Sequence, residues 1–160
     1  MKATAINHTA ALAVQSKYST TPLCALNPRT LTVDIVLPVL NEVHILEKSV
    51  RTLCAYMDDN LPYRYQIAIV DNGSTDGTRQ VAAILAEHFP AVRAVCLPKK
   101  SRGRALKQVW LQSRADIVSY MDIDLSTNLD AFVPMITPLV TGDAAIAVGS
   151  PLMKASQTNG

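Results

Sequence analysis

Short apolar runs alternate with segments of helical periodicity along most of this chain, and that alternation limits the possible folds more than any other feature. Each run is five or six residues long and rich in β-branched side chains, as buried strands are. Five strands are predicted, at Val33–Leu37, Gln66–Val70, Val92–Leu97, Ile117–Met121 and Ala144–Val148. Regular alternation of strand and helix predicts an α/β fold: a Rossmann-like, mostly parallel sheet with helices on both faces.

The segments between these strands are predicted to be helices. One face of the first helix carries an apolar stripe at Leu46, Val50, Leu53 and Met57. Asn41 lies where the N-cap of this helix is expected, and Glu42 favours the first turn. Inward positions in the second and third helices are predicted at Val81, Ile84, Leu85, Leu106, Val109 and Trp110. A fourth helix, interrupted by proline, is predicted over Leu129–Val140.

Composition limits the classes of function. The chain has 160 residues, enough for one domain, and its 49% apolar and 18% charged residues are typical of a packed core. The net charge of +2 at pH 7 provides no basic surface for nucleic acid. The longest apolar runs, such as Ala10–Val14, have about five residues, whereas a membrane-spanning helix needs about 20. We therefore expect no nucleic-acid partner and no transmembrane segment in this chain.

The cysteines indicate the compartment. Cys24, Cys54 and Cys96 are far apart, odd in number and form no C-x-x-C motif. This usage favours free core thiols in a reducing compartment over a zinc site or a disulfide framework. We therefore expect a cytoplasmic protein.

Texture divides the chain into three segments. Residues 1–32 contain no Asp or Glu and show neither helical nor strand periodicity, which predicts a flexible N-terminal extension rather than a transit peptide. Residues 33–150 carry the alternating pattern and are predicted to form the folded domain. Residues 151–160 are a polar tail that continues neither pattern.

Two polar motifs follow the first two predicted strands. Pro38, Leu40, Asn41 and Glu42 form a strand-to-helix turn whose backbone N–H groups suit an anionic or polar ligand. A plain helix cap is the alternative. The second motif is the loop 71–78, where Asp71 or Asn72 is placed to hydrogen-bond a ribose or a base. Its alternative is a turn in which Asp76 caps the next helix.

Two further motifs carry charge. The string 99–104 puts four cations around Gly103, which suits a phosphate, although a solvated basic loop is the alternative. Asp122 and Asp124 follow the fourth predicted strand. On an extended backbone, residues two apart point to the same side, where the two carboxylates would repel each other unless a cation lies between them. Mg²⁺ or Mn²⁺ suits such oxygen ligands and keeps positions for substrate phosphates.

In this order and spacing, the four motifs resemble those of the family 2 glycosyltransferases with the A-type nucleotide-sugar fold. Among them the chain is most similar to the polyprenyl-phosphate branch, which includes dolichol-phosphate mannose synthases and dolichyl-phosphate glucosyltransferases. The strings that carry the resemblance are Asp34–Glu42, Val70–Thr78, Arg102–Leu106 and Tyr120–Thr127. The last of these is the most specific.

The resemblance implies a role for each motif. Pro38, Leu40, Asn41 and Glu42 would line the nucleotide pocket, Asp71 or Asn72 would contact the base, and Gly103 would lie under the nucleotide. Asp122 would face the ribose and the metal, and Asp124 would bind the metal beside the diphosphate; both are the catalytic candidates. The implied reaction is inverting transfer of a hexose from GDP-mannose or UDP-glucose to a polyprenyl phosphate. The implied partners are therefore a nucleotide sugar and a lipid phosphate at the cytoplasmic face of a membrane.

Two departures from the family pattern favour an alternative. The family pattern after the fifth strand is Gly-Ser-Arg, whose Arg contacts phosphate, but here Gly149 and Ser150 are followed by Pro151. Proline offers neither a charge nor an N–H donor. Family members also continue with an acceptor-binding half beyond the point that corresponds to Gly160. The alternative is a truncated, catalytically silent nucleotide-sugar-binding fragment or pseudoenzyme.

Overall fold

The structure is a computed structural model that describes residues 4–7, 12–15, 30–97, 102–126 and 128–150. Its strands are β1 (Thr4–Asn7), β2 (Leu12–Gln15), β3 (Thr32–Val39), β4 (Arg64–Asp71), β5 (Val92–Cys96), β6 (Ile117–Tyr120) and β7 (Ile146–Ser150). Its α-helices are α1 (Val43–Asn60), α2 (Thr78–His88), α3 (Arg102–Gln112) and α4 (Phe132–Val140), and a 3₁₀ turn spans Leu129–Ala131. All five predicted strands and all four predicted helices are present.

The seven described strands form one sheet in the order β1-β7-β2-β6-β3-β4-β5. The adjacent strands β6, β3, β4 and β5 are all parallel, and β1 is parallel to β7. β2 is antiparallel to both of its neighbours. The prediction of a mostly parallel α/β sheet is therefore confirmed.

Alternate residues of β3 face two different cores. Ile35 and Leu37 belong to a large cluster with the buried faces of α1, α2 and α4. Val36 belongs to a second cluster with Val109 of α3. Because successive side chains of a strand point to opposite faces, helices cover both faces of the sheet, as predicted. Burial on both faces also explains why the strands read as continuous apolar runs rather than as alternating ones.

Two short strands lie in the N-terminal segment that the sequence predicted to be flexible. β2 fills the position between β6 and β7, and β1 pairs with β7. Neither Thr4–Asn7 nor Leu12–Gln15 alternates apolar and polar residues, so no strand was predicted here. The expectation of a loose extension is wrong for these residues, which are held by ladder hydrogen bonds. The boundary at residue 32 stays a prediction.

The predicted ends of three elements shift. α1 begins at Val43 with Glu42 as its N-cap, so Asn41 is not the cap. The predicted fourth helix starts with the 3₁₀ turn, and α4 begins only at Phe132. β7 starts two residues later than predicted, because Ala144 donates its backbone N–H to the Pro138 carbonyl at 3.0 Å and so still belongs to the turn after α4.

Two side chains that were predicted to be internal are exposed. Ile84 is 53% exposed, because the buried face of α2 consists of Thr78, Ala82 and Leu85. Cys96 is exposed, so only Cys54 among the described cysteines is a core thiol. Burial, with a smaller contribution from Asp58, raises the pKa of the Cys54 thiol. Cys24 lies outside the described residues. No helix in the described part of the chain combines the length and the apolar character needed to cross a membrane.

Candidate functional site

The motifs predicted to carry function meet at the carboxyl edge of the sheet. β6, β3 and β4 are parallel neighbours, so the segments that follow them lie side by side. These segments are residues 40–42 after β3, residues 72–77 after β4 and residues 121–126 after β6. Pro38 is the exception, because it is buried within β3 rather than in the turn. Pairing of β3 with β6 ends at Val36, so Pro38 removes no ladder bond to β6.

The first two motifs hold each other through hydrogen bonds. Three backbone N–H groups at the start of α1 donate to side chains of the second loop: Asn41 to Ser74 Oγ at 2.9 Å, Glu42 to Thr78 Oγ1 at 2.9 Å, and Val43 to Asp76 Oδ2 at 3.2 Å. The N-terminal donors of a helix normally need such external partners. The prediction that this turn offers free N–H groups to a ligand is therefore wrong for these three donors. We call residues 41–43 together with 74–78 the loop clasp.

Asn41 closes the loop clasp from the other side. Its Oδ1 accepts a hydrogen bond from the Thr75 backbone N–H at 2.9 Å. Its φ of +57° lies in the left-handed region, which asparagine tolerates better than most residues do. Asn41 thus both turns the chain after β3 and fixes the neighbouring loop, which explains the residue type without a ligand.

Asp76 links the N-termini of two helices. Its Oδ1 accepts hydrogen bonds from the Thr78 backbone N–H at 3.0 Å and from the Thr78 hydroxyl at 2.5 Å, while its Oδ2 accepts from Val43. The hydroxyl of Thr78 is the main cause that lowers the pKa of Asp76, the backbone donors add to it, and desolvation opposes it. The sequence predicted that Asp76 caps α2, but Gly77 is the N-cap, and Asp76 accepts from the first residue of the helix instead. The second role, at α1, could not be seen because it joins residues 33 apart.

Asp71 is the last residue of β4, and its side chain is buried. It is 1% exposed, its Oδ1 accepts from the Ser74 backbone N–H at 3.0 Å, and its Oδ2 accepts from Arg79 Nε at 3.2 Å. The sequence had placed Asp71 in a loop outside the core, and this is wrong because β4 still pairs with Val39 at this point. Arg79 is a contributor that the sequence analysis missed, since nothing in the pattern linked a helical arginine to a strand eight residues earlier.

Asn72 is also buried, at 3% exposed, and its backbone N–H donates to the Val39 carbonyl at 3.0 Å. This hydrogen bond joins the ends of β3 and β4 at the point where the second loop begins. Contact of Asp71 or Asn72 with a base stays a prediction.

The two carboxylates after β6 lie in a turn rather than on an extended strand. β6 ends at Tyr120, and Leu125 donates its N–H to the Asp122 carbonyl at 3.3 Å with a φ of +49°. The argument from strand alternation therefore does not apply to Asp122 and Asp124. Asp122 is half-buried and Asp124 is exposed, with Asp124 Oδ1 accepting from the Ser126 N–H at 3.1 Å.

The donor set fits a hard divalent cation that is shared with a substrate. Within the described residues neither Asp122 nor Asp124 forms an ion pair. The same part of the chain contains no group of three or more His, Cys, Asp or Glu side chains able to hold a metal. Mg²⁺ is usually bound by one or two carboxylates together with substrate phosphates, rather than in a cage built only from protein.

Several predicted positions are only partly described. Gly103 is the second residue of α3, and Gly149 lies in β7. Lys99, Lys100 and Ser101 of the basic string lie outside the described residues, as do Thr127, Pro151 and the tail up to Gly160. The predictions that rest on these positions stay predictions.

A family model agrees with this arrangement over nearly the whole domain. The model described as "Glycosyl transferase family 2" matches residues 34–159. The chain belongs to this family. Its similar relatives include glycosyltransferase AglD of Haloferax volcanii, 28% identical over 76% of this chain and 20% of the relative. Glucosyl-3-phosphoglycerate synthase of Mycolicibacterium paratuberculosis is 32% identical over 74% of this chain and 36% of the relative. A dolichyl-phosphate beta-glucosyltransferase of Trichomonas vaginalis is 28% identical over 78% and 40%.

Two solved structures have a similar fold. The mannosyltransferase PcManGT from Pyrobaculum calidifontis, in complex with GDP-Man and Mn²⁺, has a TM-score of 0.54 at 22% identity and covers 76% of this chain and 36% of its own. A mycobacterial protein has a TM-score of 0.54 at 29% identity, over 84% and 47%. These likenesses confirm the glycosyltransferase fold. The matched part of this chain spans less than half the length of each of these proteins.

Proposed function

We propose that this chain is the nucleotide-sugar-binding part of a metal-dependent glycosyltransferase. It would move a hexose from GDP-mannose or UDP-glucose, with inversion, to a polyprenyl-phosphate acceptor at the cytoplasmic face of a membrane. The observation that carries the proposal is the pair Asp122 and Asp124, free of ion pairs within the described residues and next to the loop clasp at the carboxyl edge. Ligands of parallel α/β sheets bind at this edge.

Asp122 and Asp124 would hold Mg²⁺ or Mn²⁺, which would neutralise negative charge on the departing nucleoside diphosphate. The GDP-Man and Mn²⁺ of the PcManGT complex support this choice of ligands. Asn72 and Asp71 are buried beside the loop clasp, where a base would be held away from water. Leu40, Asn41 and Glu42 would shape the pocket, with the backbone fixed by the loop clasp rather than by the nucleotide.

A phosphate acceptor suits a site without an assigned general base. A lipid phosphate is already an anion, so the attacking oxygen needs no deprotonation, and orienting it is the main requirement. The name of one relative refers to dolichyl phosphate and that of another to a phosphoglycerate. Both acceptors carry phosphate, and we favour the lipid because the strings after β3 and β6 resemble the polyprenyl-phosphate branch.

Binding is the first test. Calorimetry on the 160-residue chain should detect GDP or UDP only when Mn²⁺ is present. Asp124→Asn should weaken this binding at least about tenfold, since even indirect partners of a metal commonly change affinity by that factor. The control is Asp59→Asn, which makes the same charge change at an exposed position of α1. Nucleotide binding that is insensitive to both chelator and Asp124→Asn would contradict the metal assignment.

Transfer is the second test. A labelled sugar nucleotide should be incubated with the chain and either a short polyprenyl phosphate or 3-phosphoglycerate. Transfer to the polyprenyl phosphate supports the proposal. Transfer to 3-phosphoglycerate alone would contradict the lipid acceptor and make the glycerate the acceptor. Metal-dependent binding without transfer to either acceptor would favour the silent nucleotide-sugar-binding alternative.

A further inference from the structure

A second pocket lies at the amino edge of the sheet. This amino-edge cavity, of about 490 Å³, is lined by the starts of β3 and β4, by Arg93 of β5 and by residues 112–115 after α3. The eight residues of β4 separate its start from Asp71 by seven steps of about 3.3 Å, roughly 23 Å. The cavity is therefore a separate place from the candidate nucleotide site. Its volume is within the range usual for small-molecule pockets.

The charged residues that line the amino-edge cavity are mainly basic. They are Arg64, Arg93, Arg114 and one acid, Asp34, for a formal net charge of +2. Asp34 is already engaged, because its Oδ2 accepts from an Arg93 guanidinium nitrogen at 3.2 Å and from Ser113 Oγ at 2.5 Å. Within the described residues, Arg64 and Arg114 form no ion pair. Two guanidinium groups thus face the cavity region without a carboxylate to neutralise them.

One buried donor at this cavity lacks an acceptor. Arg93 Nε is buried and has no hydrogen-bond partner among the described residues, although the same guanidinium contacts Asp34. Buried polar atoms in folded proteins are nearly always paired, so an unpaired one calls for an explanation. Nε itself is closed to solvent, so an anion in the cavity would accept from the accessible part of the guanidinium, in a side chain that is 33% exposed.

We propose that the amino-edge cavity binds a small phosphorylated metabolite, whose phosphate oxygens accept from Arg64, Arg93 and Arg114. Planar guanidinium groups match the oxygens of a phosphate in pairs. A phosphate has three terminal oxygens where a carboxylate has two, so it can accept hydrogen bonds from more of these guanidinium groups. Neutral donors such as Gln66 and Gln112 also line the cavity and suit the uncharged part of such a molecule. This site would bind its ligand without a metal, since its charge is already positive.

The test uses inorganic pyrophosphate as the probe, titrated into the 160-residue chain by calorimetry with EDTA present. Saturable binding is expected for the native chain. The double variant Arg64→Gln/Arg114→Gln should bind at least about tenfold more weakly, as charge-assisted hydrogen bonds are among the strong ones. The control Lys48→Gln/Lys107→Gln removes the same charge from exposed helix positions outside the cavity and should bind like the native chain.

Each other outcome overturns the proposal. Equal weakening by both double variants would show binding to general positive charge, and no saturable binding by the native chain would leave the cavity without this ligand class. Malonate binding as tightly as pyrophosphate would contradict the preference for phosphate. Asp124→Asn should not change pyrophosphate binding in EDTA. If it does, the probe occupies the carboxyl edge, so failure here is distinguishable from failure of the proposed glycosyltransferase site.

Discussion

Each edge of the sheet contains an ion pair between a buried aspartate and an arginine, but the charged groups around the two pairs have opposite signs. At the carboxyl edge, Asp71 is buried against Arg79, whose side chain is 53% exposed, and both carboxylate oxygens of Asp71 accept a hydrogen bond. At the amino edge, Asp34 is paired with Arg93, whose side chain is 33% exposed and whose Nε lacks a partner among the described residues. At the carboxyl edge, the loop clasp forms its hydrogen bonds within the protein, and Asp122 and Asp124 remain to bind a cation. At the amino edge, Arg64 and Arg114 remain to bind an anion.

An aspartate on a strand is not by itself a sign of function in this molecule. Both pairs join residues of separate elements. What differs is the set of groups that stays unpaired nearby. Asp122 and Asp124 at one edge, and Arg64 and Arg114 at the other, have no ion pair within the described residues, and these groups carry the two proposals.

The largest effect on stability is expected at the amino edge. Asp34→Ala removes the acceptor of Arg93 and of Ser113 and leaves a partly buried guanidinium with even fewer partners. Losing a charge-assisted pair in this setting should lower the free energy of unfolding by about 3 kcal/mol. Urea unfolding of the variant measures this loss. Glu87→Ala, an exposed position on α2, should change stability by less than about 0.5 kcal/mol. An equal effect of the two variants would contradict the role given to Asp34.

A smaller loss is expected from Asp71→Ala. The remaining partner, Arg79, reaches solvent, so the cost is mainly the half-buried Ser74 N–H and the lost pair, about 2 kcal/mol. Asp71→Asn keeps an acceptor for the Ser74 N–H and therefore separates a role in nucleotide contact from a role in stability. Metal-dependent GDP or UDP binding that falls in Asp71→Asn while the urea midpoint stays nearly unchanged would support contact with the nucleotide. Unchanged binding in that variant would leave Asp71 as a structural residue.

The fold was predictable because its signals are local. Runs such as Ile67–Val70 and the stripe on α1 record burial within one element, so a single sequence contains them. The loop clasp is not local, since Asn41 and Ser74 are 33 residues apart and either side chain alone reads as an ordinary turn residue. Asp122 and Asp124 could be found as a motif, but not their turn, which depends on Leu125 adopting a positive φ that its residue type does not suggest.

The amino-edge cavity had no sequence signal at all. Arg64 lies in β4, Arg93 in β5 and Arg114 in the connection between α3 and β6, and all three resemble solvated charges in the sequence. Only the parallel order of β3, β4 and β5 brings the starts of these strands to one edge. The strands β1 and β2 were not predicted for a related reason, because they form strands by pairing with β7 and β6, more than 100 residues later.

Acid should loosen the loop clasp at the carboxyl edge. The pKa of Asp76 in the folded chain lies below its ordinary value of 3.8, so its contribution to stability is complete above that value. The contribution is lost as the pH falls through the lowered pKa. Asp76→Asn should therefore melt below the native chain at pH 6, and the difference in Tm should shrink toward zero as the pH falls below 3.8. Asp59→Asn controls for the lost charge. A difference in Tm that is the same at pH 6 and pH 2.5 would contradict the account of Asp76.

The smallest effect is expected from the residues that carry the second proposal. Arg64 and Arg114 are exposed and form no ion pair within the described residues, so Arg64→Gln/Arg114→Gln breaks no recorded contact of their side chains. Without an anion, its free energy of unfolding should stay within about 0.5 kcal/mol of the native value. Pyrophosphate should then separate the two proteins, because a ligand that binds only the folded state stabilises it by about 2.7 kcal/mol at a hundred times its Kd. A thermal melt in EDTA should show the native Tm rising with pyrophosphate while that of the double variant stays nearly constant. An equal rise in Tm for both proteins would mean that pyrophosphate binds elsewhere. The amino edge would then not be the anion-binding edge of the sheet.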